Sequence, residues 1–148
     1  MSKDFLPRVG TAIRSLQVVP ITNEIICGLE DSSVKTILIS NDKEIKTYRT
    51  IIKGTHTKRR VLTSYGDYIC LNGNPGQLQF INLSTGSIFE FEIISRNLIC
   101  GIDSHHPHPH AITNVSIGPS SMAVVVESTY PSYRYSFIKF YSHNLSYN

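Results

Sequence analysis

The chain has 148 residues, of which 41% are hydrophobic and 17% are charged, and its formal net charge is +3. This balance is typical of a globular protein and excludes the charge-rich, apolar-poor composition of a disordered chain. The longest strongly apolar stretch, Met122 to Val126, is too short to cross a bilayer, and residues 1–10 lack the apolar segment of a signal peptide. We therefore expect a single domain over residues 1–148, in the cytoplasm or nucleus.

Apolar and polar residues alternate along most of the chain or form short β-branched and aromatic blocks, which is the pattern of β-strands. Turn formers separate these runs, as at residues 72–76 (NGNPG) and 118–121 (GPSS). No run of ten residues shows a helical stripe with a cap, so helix is at most a minor component. The sequence predicts an all-β fold. In chain order, the predicted strands are Ile13–Val19, Ile25–Leu29, Val34–Ser40, Glu44–Ile51, Val61–Ser64, Tyr68–Asn72, Gln77–Leu83, Ser87–Ile94, Leu98–Ile102, Ile112–Ile117, Met122–Glu127 and Tyr135–Tyr141.

These strands fall into three groups of four, at approximately residues 12–52, 58–95 and 97–142. A short unit recurs around Ile45, Leu78 and Ile138, each followed by a long polar residue and, three positions later, by a bulky one. The three aliphatic residues are separated by 33 and 60 positions. A propeller blade spans about 40–50 residues, so one interval is short and the other is long. The long one contains two predicted loop insertions, His105 to His110 and Ser128 to Arg134, and the recurrence of the unit favours a propeller. A β-sandwich or a small barrel is the alternative, since short strands at even spacing also occur there.

Residues 38–48 (LISNDKEIKTY) resemble a WD40 repeat, in which one strand ends in a tight turn at Asp and the next closes on an aromatic residue. Residues 76–86 (GQLQFINLSTG) are similar to the end of such a blade. The resemblance implies a WD40-like β-propeller segment and a non-catalytic scaffold for protein–protein interaction. It also implies that Asp42 is a structural turn residue whose carboxylate takes part in a hydrogen-bonded network. The chain contains no tryptophan, so Asp42 alone matches that network.

The number of repeats predicts a partner. Propellers close with about four to eight blades, whereas this chain has three groups of strands. Three alternatives follow. The chain is a piece of a larger propeller, it forms a ring that another chain completes, or its fold is a sandwich or barrel. Open blades expose sheet edges that seek pairing, so we expect a protein partner or self-association. The contacts would lie on the flanks Ile13–Val19 and Tyr135–Tyr141.

Three cysteines, Cys27, Cys70 and Cys100, each lie in an apolar triplet and are predicted to be core residues. An odd number without Cys-x-x-Cys spacing argues against a disulfide framework and a zinc site, and fits a reducing compartment.

The histidine-rich segment 103–110 (DSHHPHPH) is the most visible candidate for chemistry, because imidazoles are common metal ligands. Its prolines hold the preceding residues extended, so neighbouring rings would point apart, and we predict an exposed loop without a metal. Adjacent Asp103, Ser104 and His105 cannot form a hydrolase triad, because alternate residues of an extended chain face opposite ways. No catalytic motif is present, and we expect no enzymatic activity and no cofactor.

Positive charge is concentrated between Ile45 and Gly66, where six basic residues occur without an acid. Such a field attracts anionic partners, and binding residues often lie on connecting loops. The alternative function is therefore an RNA- or phosphate/phosphoinositide-binding module. Aromatic residues interleave too little for single-stranded RNA, and the lipid-binding motif Phe/Leu-Arg-Arg-Gly of some propellers is absent. The predicted anion- or partner-binding residues are Lys53, His56, Lys58, Arg59 and Arg60.

Overall fold

The computed structural model describes residues 12–19, 24–31, 33–39, 45–52, 60–102, 105, 108–132 and 134–145. These residues form eleven β-strands and one short helix. The all-β prediction is confirmed. The elements are β1 (Ile13–Val19), β2 (Glu24–Leu29), β3 (Val34–Ile39), β4 (Ile45–Ile52), β5 (Val61–Tyr65), β6 (Tyr68–Asn72), β7 (Gln77–Asn82), β8 (Ile88–Glu92), α1 (Arg96–Cys100), β9 (His110–Ile117), β10 (Ser121–Ser128) and β11 (Ser136–Ser142).

The strands form three antiparallel sheets in which chain neighbours pair with each other. The first sheet has the order β1-β2-β3-β4, the middle sheet β5-β6-β7-β8, and the third sheet β9-β10-β11. Every connection within a sheet is therefore a hairpin, as the regularly spaced turn residues predict. Within the described residues, the third sheet has three strands where the other two have four.

The first strands of the three sheets lie next to one another, since β1 contacts β5 and β5 contacts β9. They begin at Ile13, Val61 and His110, which are 48 and 49 positions apart. Two side-chain bonds fix the first pair: Val61 N–H donates to Ser15 Oγ over 2.9 Å, and Gln17 Nε2 donates to Ser64 Oγ over 3.2 Å. Sheets whose first strands lie side by side, and whose starting residues are separated by about one blade length, are arranged like adjacent propeller blades.

Strands β6 and β7 of the middle sheet are covered on both faces, whereas its last strand, β8, is exposed. One face packs on the first sheet through a cluster that includes Val19, Ile26 and Ile69. The other face packs on the third sheet through a cluster that includes Leu78 and Val124. Two-sided burial explains why β6 and β7 carry apolar residues at consecutive positions instead of a strict alternation.

Helix α1 replaces the strand predicted over Leu98–Ile102, so that prediction was wrong. Ser95 caps the start of the helix, because its side-chain oxygen accepts a hydrogen bond from the Leu98 N–H. Gly101 caps the end in the left-handed conformation, at φ 75°. Leu98 is the buried residue of this helix, whereas Cys100 is exposed. The core prediction therefore holds for Cys27 and Cys70 and fails for Cys100, since a helix turns alternate residues of an apolar triplet to different sides.

Within the described ranges, no helix is long and apolar enough to span a membrane.

Candidate partner-binding surface

Asp42, the predicted turn residue, lies outside the described residues, between strands β3 and β4, which pair in antiparallel fashion. The corresponding hairpin of the middle sheet, β7–β8, shows how such a turn is closed. Asn82 Oδ1 accepts bonds from the N–H groups of Ser84 and Thr85, over 2.9 and 3.1 Å. A short side chain with an oxygen acceptor thus satisfies two turn amides.

The β2–β3 turn uses a carboxylate in the same way. Asp31 Oδ1 accepts from the Ser33 hydroxyl over 2.5 Å and from the Ser33 N–H over 2.9 Å. These bonds, first to the hydroxyl and then to the amide, lower the pKa of Asp31, because they stabilise the charged form. An acidic residue can therefore close a turn in this repeat.

Of the five predicted binding residues in the basic segment, Arg60 is the one that the structure describes, and it is exposed. Its backbone joins the base of the β5–β6 hairpin: Asn72 Oδ1 accepts from the Arg60 N–H, and the Asn72 N–H donates to the Arg60 carbonyl over 3.2 Å. The other four predicted binding residues, Lys53, His56, Lys58 and Arg59, lie outside the described residues.

The histidine-rich segment is only partly an exposed loop. His105 is exposed, but His110 is 4% exposed and begins β9, so the prediction of a uniformly exposed loop was wrong. His110 Nδ1 bonds to the His108 carbonyl over 2.6 Å, and its ring lies 5.0 Å from Tyr135. The His108 ring stacks on Tyr130, at 4.5 Å between centroids. These imidazoles pack on aromatic rings, and the described residues contain no group of three metal-ligating side chains.

A cavity of about 110 Å³ lies between the β6–β7 turn and the start of β9, lined by Gly76, Gln77 and His110 among others. A space of this size is large enough to hold water. Gln77 Oε1 is buried there without a bond to any described residue, which suits a water-filled cleft. Elsewhere in the middle sheet, burial raises the pKa of the core thiol Cys70 to about 12, so this thiol stays protonated at neutral pH.

Apolar side chains are exposed on the face of the first sheet that points away from the middle sheet. Leu16 pairs with Cys27, and Val18 pairs with Ile25, so these four side chains share that face. Cys27 is buried, but Leu16 is 58% exposed and Val18 is 49% exposed. The prediction at Ile13–Val19 was an open sheet edge. Strand β1 does end the strand order of the first sheet, but it contacts β5, and what it exposes is the outward face.

The third sheet exposes its outward face still more. Val125 pairs with Ile138, and Ala123 pairs with Phe140, opposite to the face that carries Val124. Ile138 is 56% exposed and Phe140 is 75% exposed. Both terminal faces of the three-sheet unit thus carry large apolar residues in water. Strands β6 and β7 of the middle sheet are covered on both faces, although its last strand, β8, is exposed. Exposed apolar patches of this kind mark interaction surfaces.

Two proteins resemble the sequence. WD repeat-containing protein 75 of Xenopus laevis is 28% identical over 99 residues, and WD repeat-containing protein 75 of Homo sapiens is 31% identical over 104 residues. Each match covers 66% of this chain. The chain is a WD40-like repeat protein. This agrees with the resemblance of residues 38–48 and 76–86 and with the antiparallel sheets.

The WD40-like chain spans 12% of the length of these relatives, about one eighth. No protein-family model matches the sequence. The missing tryptophan and the use of Asn82 at the β7–β8 turn show how far the WD40-like units have diverged from the usual repeat pattern.

Proposed function

We propose that this chain is a non-catalytic scaffold for protein–protein interaction, a segment of a WD40-like propeller whose terminal sheets pack against further β-sheet. The observation that carries the proposal is the exposure of Leu16, Val18, Ile138 and Phe140 on the two terminal faces. Strands β6 and β7 of the middle sheet supply the internal comparison, because their apolar residues are buried against the neighbouring sheets. Covering the terminal faces in the same way removes apolar surface from water, at about 25 cal/mol per Å².

The partner is a β-rich protein surface: further blades, or a second copy of this chain. The cytoplasm or nucleus is the proposed compartment, since Cys27 and Cys70 are free thiols in the core. The alternative of an RNA- or phosphate-binding module rests on the basic segment 45–66, of which the structure describes 45–52 and 60–66 but not the connecting residues 53–59.

Sedimentation equilibrium of the isolated chain at micromolar concentration tests the proposal. We expect a mass above 16.6 kDa that rises with protein concentration. The double variant Leu16→Ser, Phe140→Ser should shift the distribution towards the monomer. Ile88→Ser is the matched control, because Ile88 is 50% exposed but lies on the middle sheet. A stable monomer at all concentrations, with all four exposed side chains in water, would contradict the proposal.

A further inference from the structure

The outer edge of β11 has backbone groups that no described residue pairs. Ser128 N–H donates to the Tyr135 carbonyl over 2.9 Å, and His143 N–H donates to the Ser120 carbonyl over 3.0 Å, at the two ends of the β10–β11 ladder. The register between these ends is unbroken. Hydrogen-bonded residues alternate along an antiparallel strand, so the odd-numbered residues of β11 bond to β10. The backbone N–H and C=O groups that point away from β10 belong to Ser136, Ile138, Phe140 and Ser142.

The middle sheet shows what lies at the equivalent edge. Its third strand, β7, is covered by β8, whose Phe89 stacks on Phe80 at 5.1 Å. The side chains of β7 are accordingly almost all buried. The third strand of the third sheet, β11, alternates between exposed and half-buried residues. The two strands occupy the same place in their sheets, and only β7 has a fourth strand beside it in the described structure.

The edge of β11 also lacks the usual protection. Natural edge strands carry proline, a bulge or charged side chains that prevent pairing. The β10–β11 register has no bulge, and β11 contains no proline. Its one charged residue is Lys139, whose Nζ donates to the Ile93 carbonyl over 2.8 Å and so lies on the side of the middle sheet.

The positive charge around the outer edge of β11 favours a partner strand with acidic residues. Between Arg134 and Leu145 the chain contains Arg134, Lys139 and His143, and no Asp or Glu. Side chains directly opposite each other on paired strands interact, and opposite charges there are favourable. A strand with an acid opposite Lys139, flanked by apolar residues opposite Ile138 and Phe140, fits the edge. The outer edge of β8 does not fit it, because Glu90 and Glu92 would repel an acidic strand.

We propose that β11 binds an extended partner segment of alternating apolar and acidic residues, which adds as an antiparallel fourth strand. The inference rests on the proposed function and names the chemistry of one partner. Main-chain hydrogen bonds would supply affinity, and the alternating side chains would supply selectivity, as in other cases of strand addition. The sequence of β8 itself (IFEFE) has this pattern: with its central Glu90 opposite Lys139, Phe91 lies opposite Ile138 and Phe89 opposite Phe140.

Fluorescence anisotropy with the full chain provides the test. The probe is a peptide of the sequence 87–93 (SIFEFEI) on a short Gly-Ser spacer with a dye. We expect saturable binding at one peptide per chain, and about tenfold weaker binding of the matched peptide in which both Glu residues are replaced by Lys. Equal binding of the two peptides would overturn the acidic preference, and no binding of either would overturn the proposal.

Ile138→Pro locates the site. This substitution removes an N–H that points away from β10, and proline is tolerated at such edge positions. We expect at least tenfold weaker peptide binding than in Ile138→Ala, which loses the side chain but keeps the N–H. Equal affinity of these two variants, both folded by circular dichroism, would place the peptide elsewhere and refute the proposal.

Two further results separate this inference from the proposed function. If the chain self-associates but the peptide does not bind, the inference fails and the scaffold proposal stands. If the peptide binds a strictly monomeric chain, the inference stands and the packing of terminal faces fails. Self-association lost in Ile138→Pro but kept in Ile138→Ala would make a second copy the occupant of the edge, which would overturn the acidic partner.

Discussion

The middle and third sheets contain similar strands in different surroundings. β7 (QLQFIN) and β11 (SFIKFYS) are both third strands with alternating large residues, yet β7 is buried and β11 is largely exposed. The local pattern specifies a strand in both cases. What differs is the neighbourhood: β7 has β8 at its edge and a sheet against each face, whereas β11 has one covered face. In a repeat protein, burial is therefore a property of the neighbouring repeat as much as of the strand.

The largest expected effect compares one residue type in the two sheets. Ile69→Ala, in the middle sheet, removes a side chain that is 0% exposed, and should lower the free energy of unfolding by about 3 kcal/mol. Ile138→Ala, in the third sheet, should cost less than about 0.5 kcal/mol, because Ile138 is mostly in water. Urea denaturation at one protein concentration measures both. Equal costs would mean that the two sheets are equally covered.

A second comparison concerns two glycines of the middle sheet. A Cβ at Gly76 would lie 2.8 Å from the Ile94 carbonyl oxygen and 2.5 Å from Ile99 Cδ1, and φ is +79°. Gly86 has a similar φ of +76°, with nothing within 4 Å of its Cβ position. Gly86→Ala should cost about 1 kcal/mol from backbone strain alone, and Gly76→Ala about 2–3 kcal/mol. Thermal unfolding decides this, and equal losses would show that the approach of α1 to the β6–β7 turn contributes nothing.

The turn residues of the first and middle sheets give the third test. Asn82→Ala leaves the amides of Ser84 and Thr85 without their acceptor and should cost about 1–2 kcal/mol. We predict the same range for Asp42→Ala, by analogy with the β7–β8 turn. Asn82→Asp, which keeps the acceptor, is the control. A change below about 0.3 kcal/mol at Asp42 would remove the role that the WD40 resemblance gives it.

The smallest expected effect is the difference in stability between substitutions of two histidines. His110→Ser should lower the free energy of unfolding by about 1 kcal/mol, because a buried ring in contact with Tyr135 and Phe137 is lost. His105→Ser should change it by less than about 0.5 kcal/mol, since that side chain is exposed. Differential scanning calorimetry measures both. A null result for His110 would restore the view of the whole segment as a loop.

Strand positions could be predicted from the sequence, because alternation and turn residues are local signals. The equivalent strands of the three repeats could not be identified from such local signals. Ile45, Leu78 and Ile138 were matched as one unit, but Ile45 lies on a fourth strand and the other two lie on third strands. Third and fourth strands both alternate, so a local pattern cannot distinguish them. The first strands, 48 and 49 positions apart, mark the true period, and their equivalence depends on contacts between sheets.

The candidate surface was predictable in part. The flank at Tyr135–Tyr141 was expected from its aromatic and aliphatic content, and the exposure of Ile138 and Phe140 agrees with that expectation. An open edge at this flank was also expected, whereas the helix that replaces the strand predicted at Leu98–Ile102 was not. Ser95 and Gly101 are the cap residues that could have indicated the helix there.

The hydrogen bonds between sheets also determine when folding can be completed during synthesis of the chain. Most of them join residues 46 or 47 positions apart, as in Ser15–Val61, Gln17–Ser64 and Ile93–Lys139. A ribosome adds about 5–20 residues per second, so one sheet waits roughly two to nine seconds for the next. During that interval the hairpins of the first sheet can form, but Val19 and Ile26 have no middle sheet to cover them. Nascent chains of this protein should therefore be substrates for ribosome-associated chaperones at each sheet in turn.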